Sequence, residues 1–288
     1  MTNLKAAVRA LSVERPGRFL RCPVRVESAA VVSPSFQRVT LVADGFAGYT
    51  EQLPADAFRL FPGGVEEPVA GSAAGAVDPG VSRAFTVRSF DPAANRLVFD
   101  AHVHHGGLTA RWLDGAADGG TAELIGMRVE FVPGPIAARV ADTVLLLADL
   151  SGLPAVAAIL TALSPDQSAT VVISGAVAGD QPLLPARPGD DVRWVPAGGL
   201  VDAVGGLPRP SGVAAGWVAS EAGEVRAIRR LLLDELGVDR TQLHAAAYWK
   251  RGSSFDDLDA QNARRYAEAI AAGHDVTDPA VLEELAFS

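Results

Sequence analysis

The chain of 288 residues contains one cysteine, Cys22, so it cannot close an internal disulfide. No other Cys and no nearby His joins it in a metal-ligand spacing, and Cys22 reads as a small core residue. Aromatic residues amount to only 6%, so the position of each Trp and Tyr carries weight. Positive charge is also in short supply: 25 Lys and Arg stand against 34 Asp and Glu, a net charge of −9. That balance argues against a nucleic-acid or anionic-membrane surface, though it leaves room for a local basic pocket. What remains is globular: 49% hydrophobic and 20% charged residues, at a length where folding buries roughly three quarters of the extended-chain surface.

Export and membrane signals are missing as well. Lys5, Arg9, Glu14, Arg15 and Arg18 interrupt the first twenty positions, so no apolar leader core is present there, and a cytoplasmic location is the expectation. The run Thr143 to Leu163 carries a single charge, Asp149, and is long enough to span a bilayer. Its middle, Asp149-Leu150-Ser151-Gly152-Leu153-Pro154, puts a carboxylate, a glycine and a proline where a spanning helix needs unbroken hydrogen bonding. The expected structure is a buried strand, a turn, and a helix beginning near Pro154.

Two rhythms divide the chain. Up to residue 138, short extended segments alternate with Gly and Pro clusters: Val24 to Val32, Gln37 to Val42, Phe58 to Phe61, Arg83 to Phe90 and Arg96 to His104, with a Gly/Ala-rich loop from Pro62 to Pro79. An antiparallel β-barrel or sandwich is expected. From 139 to 252, Val-rich strands at Thr143 to Ala148, Ala169 to Ser174, Asp191 to Val195, Gly212 to Ala219 and Leu243 to Tyr248 alternate with helical segments. The clearest helix is Glu221 to Leu236, with Val225, Ile228, Leu231, Leu232 and Glu235 at helical spacing and Gly237 as its stop. This is the pattern of a doubly wound α/β domain, which binds ligands beyond the carboxyl ends of its strands. No GxGxxG follows the first of them, so the dinucleotide fingerprint is absent. Residues 253 to 288 form an acidic extension expected to hold one or two helices, and most of the net negative charge lies there.

Three segments carry candidate chemistry. In a strand, Arg83-Ala84-Phe85-Thr86-Val87-Arg88 places Arg83, Phe85 and Val87 on one face and Ala84, Thr86 and Arg88 on the other. An arginine fork for pyrophosphate, an aromatic to cover a flat ring and a hydroxyl for a ring edge are the groups a flavin needs, and also the makings of an ordinary strand. Gly106-Gly107-Leu108-Thr109-Ala110-Arg111-Trp112-Leu113 reads as a glycine-rich turn entering a short helix, suited to a phosphate or simply a capped helix. His102 and His104 project together from one strand, yet His244 and His274 lie in the other half, so no metal site is assigned.

These segments, in order, resemble the flavin-binding core of the siderophore-interacting proteins, bacterial FAD-dependent ferric-siderophore reductases. The family pattern runs Arg-x-Tyr-Thr-x-Arg, then His-Gly, then Gly-Pro-Ala-Ser-x-Trp. The likeness continues through Ala148-Asp149-Leu150-Ser151-Gly152-Leu153-Pro154-Ala155, Asp180-Gln181-Pro182, Gly216-Trp217-Val218-Ala219-Ser220-Glu221-Ala222 and Tyr248-Trp249-Lys250-Arg251-Gly252, covering residues 20 to 252. It implies a two-domain α+β chain: an antiparallel FAD-binding barrel (1–138), an NAD(P)H-type doubly wound α/β domain (139–252) and a helical C-terminal extension (253–288).

The resemblance also implies residue roles. Arg83 would hold the FAD phosphates, Phe85 would cover the isoalloxazine, Thr86 would bond its edge, and Val87 would belong to the same cofactor site. His104, Gly107, Leu108, Thr109, Ala110 and Trp112 would form the phosphate turn, with Asp149, Ser151 and Trp249 completing the cofactor site. Arg59 would attract an anionic iron chelate, and NADH or NADPH would supply electrons. Departures fall on the site: Phe85 replaces Tyr, Leu108-Thr109-Ala110 replaces Pro-Ala-Ser, His104-His105 replaces His-Gly, and Leu150 and Gly126-Met127 stand where the family has Glu and Gly-Pro. The implied activity is NAD(P)H-dependent reduction of a ferric siderophore. Recruitment to another, biosynthetic reaction with or without flavin, or a non-catalytic chelate-binding role, stays open at this point. The sequence identifies neither the chelate, nor the donor, nor an oligomeric state.

Overall fold

The computed structural model describes residues 4–14, 20–62, 82–103, 112–113, 115, 119–132, 141–252, 264–265 and 267–273. Six strands, β1 (Leu20–Ser33), β2 (Phe36–Val42), β3 (Ala57–Phe61), β4 (Arg83–Asp91), β5 (Arg96–His102) and β6 (Thr121–Arg128), close into a barrel in the order β1-β2-β5-β4-β3-β6. Every pairing is antiparallel. β1 begins four residues before the expected Val24. Leu20, Cys22, Val24 and Val26 point inward while the residues between them are exposed, the period-2 pattern of a strand with one wet face.

The sequence reading did not include β6, the strand that removes the barrel's open edges by pairing with both β1 and β3. Its apolar alternation is short, Ala122 and Leu124 being its clearest buried pair before Ile125-Gly126 breaks it, although Asp118-Gly119-Gly120 marks a turn just ahead of it. At Gly126 the backbone of β6 passes so close to β3 that a Cβ there would lie 2.8 Å from the Phe58 Cβ. Glycine permits that approach. Phe58, Phe99, Leu60, Leu97, Val39 and Leu41 fill the barrel interior.

The second sheet has the order β11-β10-β7-β8-β9, formed by β7 (Thr143–Asp149), β8 (Ser168–Ser174), β9 (Asp191–Val195), β10 (Ala214–Glu221) and β11 (Leu243–Trp249). All four pairings are parallel. One face packs against a core that includes the helix Leu153–Ala162, the other against the helices Leu200–Gly205 and Ala222–Arg230. Both faces are thus covered, the doubly wound arrangement expected. The run Thr143 to Leu163 resolves into a strand, a 3-10 turn and a helix with Pro154 in its first turn. Among the described residues no helix is long and apolar enough to cross a membrane.

Two helical expectations change. The helix expected from Glu221 to Leu236 runs Ala222–Arg230 and continues as a π-helical segment, Leu231–Glu235, before Gly237 at φ +70°. The wider turn keeps Leu232 buried and leaves Glu235 exposed, off the apolar stripe to which spacing alone assigns it. A further helix, Leu4–Glu14, lies at the N-terminus. Leu4 enters the α/β core and its N–H donates to Gln242 Oε1 at 2.9 Å, while Ala7 packs with Val129 and Val132 just beyond the barrel. Of the C-terminal extension, 264–265 and 267–271 are helical with Ala269 buried, and its remaining positions lie outside the described residues.

Cys22 is 4% exposed, and burial, followed by the nearby Glu123 charge, pushes its thiol up to about 11. The native protein is therefore expected to stay unlabelled by a thiol reagent at pH 8 while the denatured protein labels fully. Rapid labelling of native protein would show Cys22 to be an accessible thiol instead.

Candidate functional site

A cavity of about 1000 Å³ opens between the barrel and the α/β sheet. The barrel contributes Arg59 from β3, Arg83, Phe85 and Thr86 from β4, and Arg128 and Glu130 at the end of β6. The opposite wall holds Asp149, Leu150 and Ser151 after β7, Ser174 and Gly175 after β8, and Tyr248, Trp249 and Arg251 at the end of β11. The site thus lies beyond the carboxyl ends of the parallel strands, where such sheets bind ligands.

On the barrel wall, Arg59 Nη1 donates to Ser82 Oγ at 3.2 Å and Arg83 Nη1 to the Ser82 carbonyl at 2.7 Å, which draws two cations to one buried residue. Phe85 leans on Phe99 and Phe58, with centroid distances of 4.6 and 6.0 Å, and still lines the cavity. Val87 lies in the barrel core with no exposure, and its N–H donates to the Asp56 carbonyl at 2.8 Å. It supports β4 from inside. Trp112 packs on the same core, and its indole N–H finds no hydrogen-bond partner among the described residues. His104, Gly107, Leu108, Thr109 and Ala110 lie outside the described residues. His102 lines the cavity with its ring 5.3 Å from that of Phe36.

The second arginine of the motif, Arg88, takes another role. A register shift in the β4–β5 pairing falls between Val87 and Ser89 and breaks the strict alternation there. Arg88 Nη1 donates to Asp100 Oδ2 at 2.8 Å, and Arg38 reaches the same carboxylate with two bonds, at 2.8 and 3.1 Å. Asp100 is 3% exposed.

On the opposite wall, Asp149, Ser151 and Trp249 meet as one cluster. Asp149 Oδ1 accepts from the Ser151 N–H at 2.8 Å and its hydroxyl at 2.5 Å, and Oδ2 accepts from the Trp249 indole N–H at 2.6 Å. The Asp149 side chain caps the turn after β7 and holds Trp249, 40% exposed, beside the cavity. Glu221 caps the helix Ala222–Arg230 by accepting from the Gly223 and Glu224 N–H groups, and it also accepts from the Arg251 N–H. Burial pushes the Glu221 carboxyl up, but these bonds outweigh it and leave it below the ordinary value. Burial and the Asp149 charge push that of Glu224 up.

Sequence reasoning missed one group altogether: Glu130, fully buried at the barrel's exit, with Arg128, His244 and Tyr248 around it. Tyr248 Oη donates to Glu130 Oε2 at 2.5 Å, and Arg128 donates to Oε1. Burial pushes the Glu130 carboxyl up, but the Arg128 charge and the hydrogen bonds from Tyr248 and Arg128 reverse that and hold it down. The signal was Glu130 set in the apolar run Val129 to Val132, where an acid needs partners.

The residues present suit a flavin dinucleotide. The volume is at the upper end of ordinary ligand pockets, arginines stand ready for phosphates, and Phe85 and Trp249 offer aromatic surfaces on opposite walls. A closed antiparallel barrel joined to a parallel α/β sheet, with the cavity between them, defines the ferredoxin-reductase-like class of two-domain flavoproteins. The chain belongs to the siderophore-interacting protein family. Residues 25–131 match the siderophore-interacting FAD-binding domain and residues 141–252 the siderophore-interacting protein domain.

Its relatives include the ferric acinetobactin reductase of Acinetobacter baumannii, 29% identical over 67% of this chain and 69% of that protein. An uncharacterised protein of Mycobacterium tuberculosis is 31% identical over 67% of this chain and 72% of its own length. Among solved structures, a siderophore-interacting protein from Acinetobacter baumannii superposes with a TM-score of 0.73 at 26% identity, covering 87% of this chain and 99% of that one. The ferredoxin reductase of carbazole 1,9a-dioxygenase shares the fold, with a TM-score of 0.59 at 20% identity over 80% of this chain and 70% of that one.

Proposed function

We propose that this protein is an FAD-dependent NAD(P)H:ferric-siderophore oxidoreductase. The observation that carries the reading is the cavity in which the Arg83-Phe85-Thr86 wall of an FAD-binding domain faces the Asp149-Ser151-Trp249 cluster of the α/β sheet. Bound FAD would supply the redox chemistry that links two-electron hydride transfer from a nicotinamide to one-electron reduction of Fe(III).

The chain's own residues bind and orient. Arg83 holds phosphate oxygens with a guanidinium already oriented by Ser82. Phe85, braced by Phe58 and Phe99, offers a rigid apolar face to a flat ring. Thr86, buried in the same wall, would offer its hydroxyl to the ring edge. The segment Gly107 to Ala110, by its glycine and hydroxyl, suits the pyrophosphate. Trp249, held by Asp149, would offer an aromatic surface to the cofactor from the α/β side. Arg59, with Arg128 and Arg251 on the same cavity, draws in an anionic iron chelate despite the net negative charge of the chain. Iron leaves after reduction because Fe(II), with one charge fewer, is held less tightly by hard oxygen ligands. A cytoplasmic setting, where nicotinamide donors are supplied, and the limits 1–138 and 139–252 for the two catalytic domains belong to the same reading.

The test is an absorbance spectrum of purified protein after incubation with FAD, followed by anaerobic NADH or NADPH and then a ferric catecholate or hydroxamate. A flavin spectrum that bleaches with the donor and returns with the chelate is the expected result. Protein that stays colourless after FAD, or bleached protein that the chelate leaves bleached, would sink the proposal.

A further inference from the structure

The cavity runs on past the flavin walls in one direction. Phe85 and Trp249 stand on its barrel and β11 sides, and a nicotinamide has to meet the flavin ring between them. Beyond Asp149, Leu150 and Ser151 the same cavity continues over Ser174 and Gly175, after β8, to Ala197 and Gly198, after β9. A dinucleotide with its nicotinamide at the Trp249 end therefore carries its adenosine half to the β8 and β9 loops, at the carboxyl ends of the parallel strands.

Those loops form an apolar floor. A Cβ placed on Gly175 would lie 3.6 Å from the Ala197 Cβ and 4.0 Å from the Leu150 Cδ1, so the turns after β7, β8 and β9 meet there. Nothing lies within 4 Å of such a Cβ on Gly198, which leaves room for a sugar or a base above it. The Gly175 N–H donates to the Val195 carbonyl at 3.0 Å and the Gly199 N–H to the Pro196 carbonyl at 2.9 Å, which pins both loops in place.

NADPH differs from NADH by a phosphate on the adenosine ribose, and a phosphate calls for Arg or Lys. From 168 to 205 the chain has two such residues, Arg187 and Arg193. Arg187 is spent on the Ser164 and Gln167 carbonyls, at 2.8 and 3.1 Å, just before β8 and so at the opposite end of that strand. Arg193 lies within β9 and gives both its bonds to Asp191, at 3.0 and 2.6 Å. Arg251 lines the cavity but follows β11, four strands from β9 in the sheet, roughly 19 Å at about 4.8 Å per strand. Among the described residues the ionisable groups nearer the turn after β7 are the carboxyls of Asp149 and Glu224.

We propose that the electron donor is NADH and not NADPH: the adenosine ribose rests on Gly175, Ala197 and Gly198, where the wall offers a 2′-phosphate no cation. The assignment rests on the flavin-reductase reading above. Ala197, exposed on its loop and facing the cavity, is the residue that sets the choice.

Calorimetric titration of the FAD-loaded full-length chain with NAD⁺ and with NADP⁺ gives both dissociation constants without electron transfer, since flavin and nucleotide are both oxidised. NAD⁺ is expected to bind at least about tenfold more tightly, the worth of one charge-assisted hydrogen bond. The half-saturating concentrations of NADH and NADPH for anaerobic flavin bleaching give the ratio a second time. Ala197→Arg supplies a guanidinium at the ribose and is expected to tighten NADP⁺ about tenfold while moving NAD⁺ little. Wild type that takes NADP⁺ as well as NAD⁺, or better, would overturn the inference, and so would folded Ala197→Arg with the wild-type ratio. The wild-type ratio decides by itself if Ala197→Arg does not fold. Protein that takes up no FAD, or loaded protein that neither donor bleaches, would instead overturn the reductase reading beneath it.

Discussion

Asp180→Ala is expected to lower the stability of the protein by about 1–3 kcal/mol, the loss typical of leaving buried donors unsatisfied. Asp180 has no exposure, and its carboxylate gathers four donors: Ser33 Oγ at 2.7 Å, the Ser35 N–H at 3.1 Å, Ser35 Oγ at 2.8 Å and the Val177 N–H at 3.1 Å. Three of these come from the turn joining β1 to β2, so Asp180 ties the barrel's first hairpin to the α/β sheet. Alanine would strand those donors where water does not readily replace the carboxylate. Burial pushes the Asp180 carboxyl up, but the bonds from Ser33, Ser35 and Val177 outweigh it, and its folded pKa lies below the ordinary carboxylate value.

The sign of the pH effect follows. The stabilisation is complete above the unfolded pKa of about 3.9 and fades as pH falls through the folded value. Urea unfolding at pH 7 and at pH 3 should therefore show wild type and Asp180→Asn converging in acid. A variant as stable as wild type at pH 7 would mean that the hairpin is held by other contacts.

The second large effect is expected at Asp100. Asp100→Asn leaves Arg38 and Arg88, each a third exposed, facing one another over an uncharged amide, with a loss of about 3 kcal/mol or more. Its Arg38 partner is held above the ordinary guanidinium value, first by the hydrogen bond to Asp100. Arg88→Ala, which keeps the two Arg38–Asp100 bonds, should cost less than Asp100→Asn, and the double variant should be little worse than Asp100→Asn alone, because the Arg88 bond is already weakened there. Arg83→Ala should instead spare stability and weaken FAD binding, since the Arg83 guanidinium is tied to the Ser82 carbonyl and lines the cavity. Chemical denaturation and FAD titration of the four proteins separate the two arginines. Equal loss of FAD affinity without loss of stability in Arg83→Ala and Arg88→Ala would refute the division of roles.

Much of this architecture was legible because it repeats locally. The change from period 2 to strand-then-helix near residue 139 marked the two halves, and β9 was placed to the residue as Asp191–Val195. β7 and β11 were each short by one residue at their ends. β6 escaped because its evidence is its partners: a strand whose apolar alternation breaks at Ile125-Gly126 looks ordinary until β1 and β3 stand on either side of it. The helix Leu4–Glu14 escaped for the same reason, its apolar residues finding their use only against Gln242, Val129 and Val132. At the site, Arg83, Phe85 and Thr86 came from one segment and were found together. Val87, next to them, turned out to face the barrel core.

The sequence by itself determined the two halves, the family, and the residue types gathered for an anionic dinucleotide, because strand alternation, proline and glycine punctuation and short motifs act over a few positions. Tertiary structure alone decided which of those residues share a wall. Asp149 reaches Trp249 across 100 positions, Asp180 reaches Ser33 across 147, and Glu130 reaches Tyr248 across 118. A carboxylate's role depends on which donors surround it and how little water does, and those are properties of the folded chain, with no local pattern to announce them.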